Sequence, residues 1–374
     1  MRVVELASLA PGPFAATMLS DLGAEVLRVD RVAHLPSTPP ASPPPDPLGR
    51  GRRSIAVDLK NPDGVDVVLR LAARADVLIE GFRPGVTERL GIGPNDCFAA
   101  NPRLIYGRMT GYGQNGPLAQ AAGHDIDYLA IAGALDPIGP ADGPPAPPIN
   151  YVADFGGGGM LLVVGILAAL HERSQSGRGQ VVDASMTEGA GLLAAFVRGL
   201  RSSGGWPGPR GTNIFDGGAP FYGTYACSDG RFVAVGAVEP QFYAELLRGL
   251  GLRADDLPPQ HDRDHWPATK ARFAEIFATK SRDDWAKTFR NTDACVTPVL
   301  SLEEAPKHPH HKVRKSFVDI AGTPQPAPAP RLSRTPGAVQ GPAPYPGQHT
   351  REALVDWGFP EEEIDGLIDI KAIG

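Results

Sequence analysis

Two short stretches carry the groups most able to do chemistry. Gly123-His-Asp-Ile-Asp-Tyr128 sets His124 and Asp125 ahead of an apolar run from Tyr128 to Leu135. Asn150-Tyr-Val-Ala-Asp-Phe-Gly-Gly-Gly-Gly-Met160 sets Asp154 ahead of four glycines and a second apolar run, Met160 to Leu170. Both read as helix starts, where unpaired backbone N–H groups and a partial positive charge favour anions. A ligand held between two such starts would have developing negative charge stabilised, with an imidazole and a carboxylate beside it. That is equipment for moving a proton. An aspartate before a helix also serves as a simple cap, and glycines let backbones pack closely. On these residues alone, catalysis and capping both stand.

The elements that must position these groups alternate strand and helix. Val3 to Leu6, Glu25 to Asp30, Ser54 to Leu59, Asp76 to Glu80, Leu104 to Thr110 and Gly179 to Met186 read as strands, while Phe14 to Leu22 and Asp63 to Ala73 have helical spacing. Such alternation predicts an α/β fold with a Rossmann-like parallel sheet, whose ligands lie beyond the carboxyl ends of the strands. The loops there gather cations: Arg28 to Arg31, Arg50 to Arg53 with Lys60, and Gly81-Phe-Arg83 through Arg89. Guanidinium forks suit bidentate phosphate contacts. No Gly-x-Gly-x-x-Gly follows the first strand, where Ala10-Pro-Gly-Pro13 stands instead, and no Walker-type Gly-Lys-Ser/Thr occurs. Dinucleotide and nucleoside triphosphate chemistry are therefore not expected.

Beyond Thr187 the composition shifts. Arg201 to Pro220 is rich in glycine and proline and reads as a linker into a smaller α+β domain. That domain opens with a hairpin, Phe221 to Ala226 turning at Ser228-Asp-Gly230 and returning through Arg231 to Val238, and continues in helices at Pro240 to Leu250, near Lys270 to Thr279, and at Arg282 to Phe289. The expected division is 1–200, completed by 325–374, a linker at 201–220, and 221–324. Proline-rich loops lead to an acidic helical tail from Arg351 to Ile368.

The 374 residues, 42% of them hydrophobic, can bury a sizeable core, and a net charge of −6 argues against nucleic acid as a partner. Cys97, Cys227 and Cys295 form no pair or metal motif, and His308, His310 and His311 lack carboxylates at ligand spacing, so no metal is expected. Met160 to Leu170 is too short to span a bilayer and ends in His171-Glu-Arg173. Neither a leader nor a peroxisomal address is evident, which makes a cytoplasmic, membrane-free protein the expectation.

Several longer blocks carry a resemblance: Asp21-Leu-Gly-Ala-Glu-Val-Leu-Arg-Val-Asp30, Ala75 through Gly93, Gly111 to Pro117, Gly123-His-Asp125 and Gly177-Arg-Gly-Gln-Val-Val-Asp183. Along nearly its full length the chain resembles the class III CoA-transferase superfamily, and His124, Asp154 and Glu239 together resemble its racemase branch. The resemblance implies an interlaced homodimer whose active site lies at the subunit interface, with CoA on the large domain. It implies no cofactor beyond the CoA of an acyl-CoA substrate. CoA contacts are then expected from Arg31, from Val57, Asp58, Leu59 and Lys60, from Gly81, Phe82, Arg83 and Arg89, and from Gly123, Asp125, Ile126, Asp127 and Tyr128.

The implied chemistry is a 1,1-proton transfer next to a thioester, interconverting 2R and 2S epimers of 2-methylacyl-CoA through an enolate. A positioned base contributes roughly 10² to 10⁴ in rate and one oxyanion donor about 3 kcal/mol, so both are needed. His124 would serve one face and Asp154 the other, with Glu239 orienting the imidazole. Asn150 and Asp125 stand as supporting candidates. Two rivals remain: CoA transfer with Asp154 as nucleophile, and a catalytically silent acyl-CoA-binding protein. A histidine before Asp125 has no duty in the first, and a silent binder has no need of a proton-transfer set.

Overall fold

The computed structural model describes residues 1–374, which divide into two compact units: 1–132, 149–193 and 309–374 in the first, 133–148 and 194–308 in the second. The first is built on six parallel strands, β1 (Arg2–Leu6), β2 (Glu25–Arg31), β3 (Arg53–Val57), β4 (Val77–Glu80), β5 (Ile105–Thr110) and β6 (Gln180–Ser185). Their order is β3-β2-β1-β4-β5-β6, so the direction of winding reverses between β1 and β4. Val3, Val4, Leu6, Val77, Leu78 and Ile79 are almost fully buried, as strands covered on both faces must be.

Helices α1 (Pro11–Asp21), α2 (Pro62–Ala72), α3 (Val86–Arg89) and α4 (Pro94–Ala100) follow β1, β3 and β4. Helix α2 starts where Asn61 accepts the Asp63 amide and Pro62 pre-sets φ, and its buried Val67, Val68 and Leu71 lie on the sheet core. Helix α5 (Asp125–Ala132) precedes a π-helical stretch, Tyr151–Met160, which runs directly into α6 (Leu161–Ser176); α7 (Met186–Leu193) closes this part of the unit. At its carboxyl end the chain adds two short helices, Thr350–Asp356 and Glu361–Asp369, where one continuous acidic tail was expected. Gly358, at φ 84°, breaks it.

The four glycines do not precede a helix; they lie inside one. Asp154 sits in the first turn of the π-helical stretch, and Gly157, Gly158 and Gly159 are buried against α7 and α1. At Gly159 a Cβ would stand 2.6 Å from the Phe14 ring, and at Gly157 one would stand 2.7 Å from the Ala190 amide. The glycines are there for close approach, not for chain freedom. Tyr151–Ser176 is consequently one apolar helix of 26 residues, long enough by length and composition to cross a membrane, in contrast to the short run read from sequence. Leu162, Val163, Ile166 and Ala169 form its buried face, and Leu162 and Ile166 close over Gly107 of β5. Met160, Val164 and Leu167 are exposed.

The second unit holds an antiparallel sheet of Tyr222–Ala226, Phe232–Gly236 and Val296–Pro298, the last strand being too short to read in advance. Helices Pro240–Leu250, Trp266–Phe277 and Arg282–Thr288 cover it, with Phe273, Phe277, Trp285 and Phe289 in one aromatic core. Residues 201–220, read as a linker, belong to this unit. Asn213 is fully buried and its side-chain amide donates to Gly208 O, Pro209 O and Asp216 Oδ2, which ties the glycine-rich chain down. Residues 309–324, assigned from sequence to the small domain, lie in the first unit. There Phe317–Ile320 pairs with Thr323–Pro326.

Candidate active site

A cavity of about 1050 Å³ opens in the first unit at the carboxyl ends of β1, β2, β4 and β5. It lies at the winding reversal, where open parallel sheets place their ligands. Ala7 to Pro11 line it after β1, Asp30 and Arg31 at the end of β2, Gly81 to Pro84 after β4, and Met109 to Tyr112 at the end of β5. Glu80 fixes one wall. Its carboxylate is fully buried, accepts the Phe82 amide at 2.7 Å and takes Arg108 Nε at 2.8 Å, and Arg108 reaches Glu88 in turn. Burial pushes the Glu80 carboxyl up despite these partners.

His124 and Asp154 line the same cavity. His124 begins α5. Its N–H donates to Asp127 Oδ2 at 2.9 Å, and its carbonyl accepts the Asp127 and Tyr128 amides at 2.9 and 3.2 Å. The backbone is thereby fixed while the imidazole stays at the cavity surface. Asp154 is half-buried and accepts from Asn150 Nδ2 at 3.3 Å. Burial raises its carboxyl above the ordinary range; Asn150 opposes the shift, the neighbouring Asp125 adds to it, and His124 opposes it. The amides of Asp125 and Ile126 lie in the first turn of α5, where backbone N–H groups have no acceptor within the helix.

Tyr128 packs edge-on against Tyr112 with ring centroids 5.0 Å apart, and its hydroxyl donates to Gly123 O. Burial and nearby acidic groups push that phenol up to about 12, so it stays neutral. A Cβ at Gly111 would stand 2.2 Å from the Tyr128 ring, which explains glycine there.

Of the residues expected to touch a CoA ester, Arg31, Gly81, Phe82, Arg83, Gly123 and Tyr128 line the cavity. Ile126 and Asp127 are exposed on the outer turn of α5, and Asp125 is buried beneath it. Val57 is fully buried and pairs with Ile373; the Asp58 amide donates to Ala372 O, and Lys60 is exposed. Those residues, Leu59 and Arg89 do not line the cavity. Glu239 belongs to the second unit, where it is exposed and precedes Pro240–Leu250, and its backbone carbonyl accepts the Tyr243 amide. The Cys295 thiol is pushed upward, chiefly by partial desolvation and next by the charge of Glu239.

Sequence reasoning missed Ser8, Met109, Tyr112 and Met186, all on the cavity wall. Ser8 Oγ is buried without a hydrogen-bond partner, and Ala10 is held at φ 39° as the chain turns into α1. Only the Ala10-Pro-Gly-Pro13 sequence hinted at that turn.

Residues 1–350 match the family model described as CoA-transferase family III. Over 366 residues, 97% of this chain and 94% of its relative, the sequence is 52% identical to an α-methylacyl-CoA racemase of Mus musculus. It is 48% identical to the Homo sapiens protein of that name, across 100% of this chain and 96% of the relative. A crystal structure of a CAIB/BAIF family protein from Brucella suis superposes with a TM-score of 0.81 at 26% identity, covering 96% of this chain and 98% of that one.

Proposed function

The chain belongs to CoA-transferase family III, and on that premise we propose that it is a racemase interconverting the 2R and 2S epimers of 2-methylacyl-CoA thioesters. The observation that carries this reading is that His124 and Asp154, on separate helix starts, line one cavity together with Arg31 and Arg83. Its racemase relatives match over almost the whole chain.

The proton on the carbon next to a thioester is far less acidic than any side chain, and each unit of mismatch costs about 1.4 kcal/mol. The enolate must therefore be stabilised while a base removes the proton. The first-turn amides of α5 meet the thioester oxygen as it gains charge. His124 removes the proton from one face and Asp154 returns one to the other; the opposite epimer runs the steps in reverse. Asp154 must take up and release protons near neutral pH, and the burial that raises its carboxyl suits it to this. Arg31 and Arg83 pair with the phosphates of CoA, equally in ground and transition states. No cofactor beyond the substrate's own CoA enters these steps.

Ile126, Ile131, Met160, Val164, Leu167 and Leu192 are exposed apolar residues of the first unit. A second copy of the chain covers them in this reading, and Glu239 of that second copy orients the His124 imidazole.

Incubation of each epimer in D₂O, without added metal, nicotinamide or carboxylic acid, tests the proposal. Both epimers should acquire deuterium at C2 and converge on one mixture. Labelling or CoA exchange that appears only with a free acid present would instead support transfer with Asp154 as nucleophile.

A further inference from the structure

Asp125 is 5% exposed, and its side chain does not serve its own helix. Oδ2 accepts the amides of Ala153 at 2.7 Å and Asp154 at 2.8 Å, both on the π-helical stretch 28 and 29 residues further on. Oδ1 is buried with no hydrogen-bond partner. Holding a carboxylate there half-satisfied is costly, since a buried polar group without a partner loses its hydration uncompensated. A local serine or asparagine cap on the second helix would satisfy one amide of its first turn without that cost. What a local cap does not supply is a bond between the two helix starts. Asp125 follows His124 directly, and one of the amides it takes is that of Asp154 itself. The Asp154 backbone is thus tied to the side chain of the residue that directly follows His124.

We infer that Asp125 is a positioning residue: its side chain sets the spacing of His124 and Asp154 across the reacting carbon, and so fixes how the enolate partitions between them. The inference rests on the two-base reading. An enolate protonated by the opposite base inverts, whereas one protonated again by the base that formed it, after that base has exchanged with solvent, is labelled without inversion. The ratio of the two outcomes depends on the reach of each base to the carbon, and a shift of 1 Å changes a proton-transfer rate by about 10²-fold.

The test is that ratio, read by chiral separation and deuterium content from a single epimer in D₂O. Asp125→Ala leaves both amides unpaired and should shift the ratio towards labelled, uninverted substrate by about 10-fold or more. KM for the thioester should not change. Asp125→Asn retains an acceptor oxygen for the two amides and should restore the ratio. A merely structural residue would lower activity in proportion to the folded fraction and leave the ratio alone. Should Asp125→Ala fold poorly, Asp125→Ser, whose short hydroxyl cannot span to both amides, reads the same quantity. A wild-type ratio in Asp125→Ala or Asp125→Ser overturns the inference, as does an Asp125→Asn ratio as disturbed as that of Asp125→Ala. Wild-type protein that labels neither epimer would instead sink the two-base reading itself.

Discussion

His124 and Asp154 reach the same cavity from helix starts separated by a whole loop. Burial raises the Asp154 carboxyl, so the turnover of the epimer it deprotonates should rise with pH through a limb lying above the usual carboxylate value of about 3.9. The sign for stability is the reverse. A group whose folded pKa is raised binds more protons folded than unfolded, so its contribution is favourable at low pH and is lost as pH rises through the folded value. Asp154→Asn should therefore melt higher than the wild type at neutral pH, with the gap closing towards pH 4; thermal melts across that range check it. Arg31 and Arg83 do different work. Replacing either with Ala should raise KM by about 10-fold with kcat nearly unchanged, because their contacts are as strong in the ground state as in the transition state. A fall in kcat alone would place the phosphates elsewhere. At this scale His124 and Asp154 were legible because each sits in a short, distinctive block. Ser8, Met109, Tyr112 and Met186 were not, since they meet only when β1, β5 and α7 converge, and nothing local in their sequence marks them.

At the scale of elements, five of the six sheet strands announced themselves as apolar β-rich runs, and the reading of β6 agreed as well because Val181 and Val182 follow a glycine turn. The glycine run was misread for a physical reason. Glycine signals chain freedom when the surroundings are unknown, but Gly157 and Gly189 lie with their backbones in contact, so that a Cβ at Gly189 would fall 1.9 Å from Gly157 O. Gly189→Ala should push α7 away from the stretch that carries Asp154, costing about 2 kcal/mol or more of stability as overpacking does. It should also lower kcat. Denaturant titration and steady-state kinetics on the same preparation check both; a variant of wild-type stability would show that the two helices can separate freely. The linker reading of 201–220 failed because side chains, not composition, decide whether a glycine-rich segment is fixed, and Asn213 fixes this one.

For the whole molecule, the proposed function has a second copy cover the apolar residues left exposed on the first unit and supply Glu239. Sedimentation should give twice the 39.4 kDa of one chain. Val164→Glu combined with Leu167→Glu should yield monomer with little racemisation, because charge placed on that face opposes burial. A fully active monomer would remove Glu239 from the account. The central claim is more direct than assembly, namely that two bases serve opposite faces of one carbon. It is tested by deuterium incorporation at C2 from each pure epimer, measured for His124→Ala and Asp154→Ala in folded, dimeric form. Racemisation should collapse in both, by about 10²-fold or more, while slow exchange survives for one epimer in His124→Ala and for the other epimer in Asp154→Ala. Loss of exchange from both epimers to the same degree in the two variants, or racemisation retained in both, would contradict it.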